Sequence, residues 1–176
     1  MKIRALALIS AMAILLTGVS FLDSVRAAGT KPQVELNADN MGPRPIEVLT
    51  RDHITRDYSL AWQTMQQALE TNNAAVLEQY FTGSAKQDLA SKIADQKQTG
   101  VRIRYEDRGH KLDGIFYSPA GDAMQLRDRA QLEMQVLDGD KVIHSENLTM
   151  NYMVLMTPGA DRWLVRYLQS TPEGQR

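Results

Sequence analysis

The apolar residues of this chain change their spacing at Gly100. Before that point they recur every three or four positions, the period of one face of an α-helix, at Ile54, Tyr58, Trp62, Met65 and Leu69. After it they alternate with polar residues, as in a strand with one buried face, beginning with Val101, Ile103 and Tyr105. A chain with this change is expected to place helices first and a sheet second.

Turn sequences divide the two halves into elements. Asn72-Asn73 and Gly83 separate three predicted helices, and the third ends at Gly100. The predicted strands cover residues 101–106, 115–117, 124–136, 142–156 and 162–167. Hairpin turns between consecutive strands make them pair antiparallel. The predicted fold class is therefore α+β, with three N-terminal helices packed on a curved, cone-shaped and mainly antiparallel sheet of four to five strands.

The first 27 residues have the three-part pattern of a secretory signal. Lys2 and Arg4 precede an apolar run over residues 5–22, and Ala27 offers a small residue for cleavage. The run is also about long enough for an uncleaved membrane anchor, and Arg26 beside the cleavage position favours that alternative. Under both interpretations the domain lies outside, in a periplasmic or extracellular location, either free or tethered to the membrane.

The residues after the signal have the composition of a linker. Glycine and proline lie among polar residues without periodicity over residues 28–50. The predicted organisation is a signal peptide or signal anchor over residues 1–27, a flexible linker over 28–50 and one α+β domain over 51–176.

Composition excludes several classes of function. The chain has no cysteine, which excludes disulfides, thiolate metal sites, a cysteine nucleophile and a lipoprotein anchor. The formal net charge is −1, so there is no basic excess that would bind nucleic acid.

Two aspartates interrupt apolar strand faces and are candidate catalytic residues. Alternation places Asp107 on the face of Tyr105, and Asp128 lies between Leu126 and Ala130. A carboxylate on this face would be partly desolvated, which would raise its pKa and suit it to act as a general base. Alternatively each carboxylate is paired with an arginine or a backbone N–H at a strand bend or at the mouth of the cone. A bulge after Tyr105 would turn Asp107 outward.

The remaining polar residues form no recognisable active site. His53, His110 and His144 lack the spacing of metal ligands and are interpreted as surface residues. No phosphate-binding glycine loop and no nucleophile motif is present, so neither a metal nor a cofactor is expected.

Aromatic and methionine side chains would line an adaptable apolar pocket if the cone is incompletely filled. The predicted ligand pocket consists of Trp62, Tyr80, Tyr105, Asp128, Tyr152 and Trp163.

The order of elements resembles the nuclear transport factor 2-like superfamily, a cystatin-like, cone-shaped α+β fold. The similarity extends over about residues 51–170 and is carried by Tyr58-Ser59-Leu60-Ala61-Trp62, by Leu77-Glu78-Gln79-Tyr80-Phe81-Thr82-Gly83 and by Asp161-Arg162-Trp163-Leu164-Val165. It is a similarity of order and periodicity, and it implies a fold more than an activity.

This resemblance implies two kinds of function. Some relatives are small enzymes, such as ketosteroid isomerases, polyketide cyclases and dehydratases, with acid and base residues inside the cone. Others are non-catalytic adaptors, including membrane-tethered periplasmic domains. An export segment followed by a linker and one domain is an organisation more similar to that of the non-catalytic relatives. This resemblance implies a binding module for a protein partner or a small apolar ligand. A homodimer formed through the open sheet face is a further expectation, and an isomerase or dehydratase using Asp107 or Asp128 as general base remains the alternative.

Overall fold

The computed structural model of this protein describes residues 31–172. The helical elements are α1 (Val48–Glu70), a short 3-10 helix (Ala74–Gln79) and α2 (Gly83–Thr99). The strands are β1 (Val34–Asn37), β2 (Gly42–Pro43), β3 (Val101–Tyr117), β4 (Met124–Asp138), β5 (Lys141–Pro158) and β6 (Trp163–Pro172). The predicted signal peptide or anchor, residues 1–27, lies outside the described residues.

The six strands form one sheet in the order β1-β3-β4-β5-β6, with β2 also paired to β3. β1 and β2 run parallel to β3, whereas β3, β4, β5 and β6 pair antiparallel. The predicted α+β class, with helices before a mainly antiparallel sheet, is confirmed. The predicted number of four to five strands is wrong, because the sheet also includes two short N-terminal strands.

These two strands come from the predicted flexible linker, residues 28–50. Val34–Asn37 pairs with β3 from His110 to Asp113, and the N–H of His110 donates to the carbonyl of Gln33 at 2.9 Å. The strand has only two inward apolar side chains, so it is too short to show a period in the sequence. Residues 34–37 and 42–43 thus belong to the sheet, and α1 begins at Val48, within the predicted linker.

β3 joins two stretches that the spacing of apolar residues predicts as separate strands. Residues 101–106 and 115–117 are the two ends of a single strand of 17 residues. Its register against β4 shifts between Asp107 and Gly109 and again between Gly114 and Phe116. Each extra residue moves the following side chains to the opposite face, so the alternation disappears between the two ends.

The helices cover one face of the sheet and enclose the core. The α1 residues predicted from the helical spacing are all buried, and most inward residues of β4 and β5 are buried with them. Asp57 is also buried in α1, and its carboxylate accepts the backbone N–H of Trp163 at 2.8 Å and Nε of Arg56 at 2.8 Å. This carboxylate therefore connects the start of β6 to α1.

No helix within residues 31–172 is both long enough and apolar enough to cross a membrane.

Candidate functional site

The first bulge of β3 decides which side chains enter the core. By simple alternation Asp107 faces inward, which would leave His110 facing outward. The extra residue at Arg108, together with Gly109 at a φ of 134°, reverses the alternation, so that Asp107 and His110 both face the helices. Asp107 is held there because its Oδ1 accepts the N–H of Gly109 at 2.8 Å.

His110 is the centre of a buried chain of hydrogen bonds. Its Nε2 lies 2.6 Å from Oδ2 of Asp107 and its Nδ1 lies 2.7 Å from Oδ2 of Asp128. The same Asp128 oxygen accepts the hydroxyl of Tyr58 in α1 at 2.8 Å. The side chains of His110 and Asp128 are 0% exposed and that of Asp107 is 4% exposed. The network therefore links α1, β3 and β4 in the interior of the domain.

The network holds His110 as an imidazolium. Burial alone would lower the pKa of His110, but the hydrogen bonds and charges of Asp107 and Asp128 outweigh burial and raise this pKa to about 9. Both ring nitrogens then donate, one to each carboxylate. Burial, followed by the charge of Asp128, raises the pKa of Tyr58 well above its ordinary value, so its hydroxyl stays a donor. One oxygen, Oδ1 of Asp128, has no partner within the described residues.

Two aromatic side chains lie between this network and a cavity beneath α2. The ring of Trp62 lies 4.3 Å from that of His110 and 5.3 Å from that of Tyr152, measured between ring centres. Tyr152 is the β5 residue directly opposite Asp128 in the sheet. Tyr152 lines the cavity, whereas Trp62, His110 and Asp128 do not.

The cavity lies between α2, the end of α1 and the inner face of the sheet, and its volume is about 460 Å³. Its walls are mainly apolar, with Met65 and Leu69 from α1, Leu89 from α2, and Ile103, Met134, Leu148, Met150 and Leu168 from the strands. The polar lining residues from α2 are Asp88, Lys92, Asp95, Gln96 and Thr99. The arrangement is that of a site for a mainly apolar ligand.

The predicted pocket residues fall into three places. Tyr105 and Tyr152 line the cavity, while Trp62 and Asp128 lie behind that wall. Trp163 is at the opposite end of the sheet, where it packs against Tyr117 with ring centres 6.4 Å apart. Tyr80 is likewise outside the cavity, with the Arg162 guanidinium 5.2 Å from its ring centre. The structure thus brings two of the six predicted residues into the cavity lining.

The interpretation of His110 as a surface residue is wrong, because its side chain is fully buried. The sequence contains one indication of this, the glycine that precedes it. A glycine inside a strand is typical of a bulge, and a bulge at Gly109 would have turned His110 inward. Within residues 31–172 no group of three or more His, Asp or Glu side chains is arranged to hold a metal ion.

Three of the strand arginines pair with acidic side chains. Arg102 lies 3.1 Å from Asp140, Arg104 3.1 Å from Glu70, and Arg108 2.7 Å from Glu133. Ion pairs that are exposed or only partly buried contribute little to stability, but these three neutralise the surface on which they lie.

An α+β domain with helices before a mixed, mostly antiparallel sheet defines a fold that known structures share. The intermembrane space region of the chloroplast protein ARC6 superposes with a TM-score of 0.62 at 13% identity, covering 74% of this chain and 100% of that chain. A candidate dehydratase of the NTF2-like family from Streptomyces avermitilis gives a TM-score of 0.48 at 12% identity, covering 70% and 99% of the two chains. A candidate scytalone dehydratase from Novosphingobium aromaticivorans gives 0.48 at 13% identity, covering 74% and 94%.

The protein has the nuclear transport factor 2-like fold, as its sequence pattern predicts. No protein-family model and no curated protein matches the sequence. At these identities the similarity concerns the fold alone.

Proposed function

We propose that this protein is a non-catalytic binding module that holds an apolar ligand, or an apolar segment of a partner protein, in the cavity between α2 and the sheet. One observation carries the proposal. An enzyme would bring its ligand cavity and its acid–base residues together, but in this protein the two are separate. The cavity is apolar, and both candidate carboxylates lie outside its lining.

The cavity has the size and lining of a binding site. A volume of about 460 Å³ lies within the range of small-molecule sites. Three methionines, Met65, Met134 and Met150, contribute flexible and polarizable side chains that adapt to the shape of a ligand. Burial of apolar ligand surface against such walls is favourable in proportion to the area removed from water.

The hydrogen-bonded network behind the cavity suits a structural role. Each nitrogen of His110 is bonded to a carboxylate, and Tyr58 occupies a further acceptor position on Asp128. A general base needs an accessible lone pair within hydrogen-bond reach of the substrate proton. Here Trp62 and Tyr152 stand between the cavity and these groups, so the network supports the cavity wall.

The proposed location is outside the cytoplasmic membrane, either free or tethered. The basic residues Lys2 and Arg4 before the apolar run over residues 5–22 support this proposal. Fractionation of cells that produce the full chain tests it. The proposal expects the domain in the periplasm, the medium or the outer side of the membrane, and recovery in the cytoplasm would contradict it.

A fluorescent hydrocarbon tests the binding function. Pyrene has no polar atom, so its binding reports on the apolar walls alone. We expect Leu148→Trp, which fills the cavity from β5, to weaken pyrene binding by at least about tenfold, since the added ring occupies the volume of the ligand. Val142→Trp is the matched control, because Val142 is an exposed residue of the same strand and lies outside the cavity lining. Failure of the unsubstituted protein to bind pyrene would refute the proposed function.

One observation favours an enzyme as the second candidate. Oδ1 of Asp128 is buried and unpartnered within the described part of the chain, and a buried unpaired oxygen calls for a physical explanation. For this oxygen to act as a general base, Trp62 or Tyr152 would have to move and admit a substrate. Turnover of a small carbonyl or hydroxyl substrate that Asp128→Asn abolishes, and that the exposed control Asp161→Asn leaves intact, would establish the enzyme and overturn the binding module.

A further inference from the structure

Two tyrosines line the cavity, and no described protein group is hydrogen-bonded to either of their hydroxyls. Tyr105 and Tyr152 both line the cavity, and no hydrogen bond within residues 31–172 involves either hydroxyl. Burial raises the pKa of Tyr105, and burial together with the nearby Tyr105 and Asp128 raises that of Tyr152. Both hydroxyls therefore remain protonated and are available to donate a hydrogen bond to a ligand.

The charges around the cavity are predominantly negative. Behind the Tyr152 wall, two carboxylates flank one imidazolium in the hydrogen-bonded network of Asp107, His110 and Asp128. At the mouth, α2 contributes two carboxylates, Asp88 and Asp95, and one ammonium, Lys92. An anionic group inside the cavity would face a net negative charge on two sides, and it would also lose its hydration.

We propose that the cavity selects a neutral, mainly apolar ligand that carries one hydrogen-bond-accepting oxygen, a carbonyl or a hydroxyl, held by the hydroxyls of Tyr105 and Tyr152. The apolar walls account for the body of such a ligand, and the two hydroxyls account for its single polar group. A fatty carboxylate would fit the same walls but would be repelled by the surrounding carboxylates. This proposal rests on the proposed function, since it names the class of ligand that the same cavity takes.

Three matched fluorescent probes separate the contribution of the hydroxyls to binding affinity from the contribution of the apolar walls. Pyrene tests the walls, 1-pyrenemethanol adds a neutral oxygen, and 1-pyrenecarboxylate adds a charge at the same ring position. We expect 1-pyrenemethanol to bind between about twofold and tenfold more tightly than pyrene, which is the range for one net hydrogen bond. We expect 1-pyrenecarboxylate at pH 7.5 to bind more weakly than pyrene.

Removing the hydroxyls tests the assignment of residues. In the double variant Tyr105→Phe and Tyr152→Phe, 1-pyrenemethanol should bind no more tightly than pyrene, while pyrene binding stays unchanged. Tyr80→Phe is the control, because Tyr80 lies outside the cavity. Should the double variant be unfolded by circular dichroism, each single variant is compared in its place, with an intermediate loss expected.

The outcomes distinguish this proposal from the proposed function. Pyrene binding with equal or tighter binding of 1-pyrenecarboxylate than of 1-pyrenemethanol would overturn the ligand class and leave the binding module intact. An unchanged preference for 1-pyrenemethanol in the tyrosine variants would overturn the role of the two hydroxyls. No binding of any of the three probes would overturn both proposals.

Discussion

Alkaline pH should destabilise this protein through His110. Its pKa is raised from an ordinary value of 6.5 to about 9 in the folded protein, because Asp107 and Asp128 bind its two ring nitrogens. A raised pKa means that the folded state binds the proton more tightly than the unfolded state does. The resulting stabilisation is complete below pH 6.5 and is lost as the pH rises through 9.

The expected size of the effect follows from the difference between the two pKa values. The shift of roughly 2.5 pKa units, at about 1.36 kcal/mol per unit, corresponds to about 3 kcal/mol in the free energy of unfolding. This is a large part of the stability of an ordinary domain, which is about 5–15 kcal/mol. The groups that face the imidazole from the packed elements are Asp107, Asp128 and the hydroxyl of Tyr58, and Tyr58 stays protonated over this range.

Urea unfolding followed by tryptophan fluorescence at pH 6.0, 8.0 and 9.5 measures this dependence. The unsubstituted protein should lose stability at each step, and His110→Gln should lose little, because glutamine does not titrate. If His110→Gln does not fold, the NMR titration of the His110 ring carbons gives the same pKa directly. A stability that is constant or increases between pH 6.5 and 9 would refute the assignment of an imidazolium at this position.

Three further substitutions test the packing around the site by urea unfolding. Trp62→Ala should lower the free energy of unfolding by about 3–5 kcal/mol, because it leaves a void between the network and the cavity wall. Asp57→Asn should cost about 1–3 kcal/mol, since the N–H of Trp163 loses a charged acceptor. Gly109→Ala should cost about 1–3 kcal/mol, because a φ of 134° strains a residue with a side chain, and it should also disturb the titration of His110.

Each of these substitutions has a control elsewhere in the chain. Tyr167→Ala removes an exposed aromatic side chain and Asp161→Asn changes a carboxylate at the surface. Gly139→Ala alters a turn glycine that has open space around it and a φ of 57°, a left-handed conformation that alanine adopts with less strain than a φ of 134°. Each control should lower the free energy of unfolding by less than the site substitution that it matches. A control as costly as the matching site substitution would show that the loss does not come from the network or the wall.

The period of the apolar residues was enough to predict the helices and the long strands β4 and β5, although not β3 as one strand. The inward residues of α1 and β4 keep a regular spacing over several turns or pairs, so single exceptions do not hide it. Asp128 could be found for the same reason, as the one polar residue on an otherwise apolar strand face.

The network around His110 could not be predicted, because it depends on one extra residue in β3. Alternation read across the bulge places His110 outside, and only the pairing with β4 shows the shift between Asp107 and Gly109. β1 was missed for a different reason: four residues with two apolar side chains show no period, and pairing with β3 decides their conformation.

The proposed function requires that an apolar ligand occupies the cavity while the carboxylates of Asp107 and Asp128 stay behind its wall. Methionine methyl groups labelled with carbon-13 report on this directly, because methionines lie both inside and outside the cavity. On addition of pyrene, we expect shifts for the methyl groups that line the cavity, Met65, Met134 and Met150, and none for Met124, Met153 and Met156, which lie elsewhere. Unchanged cavity methyl signals, or shifts confined to Met153 and the outer face of the sheet, would contradict it.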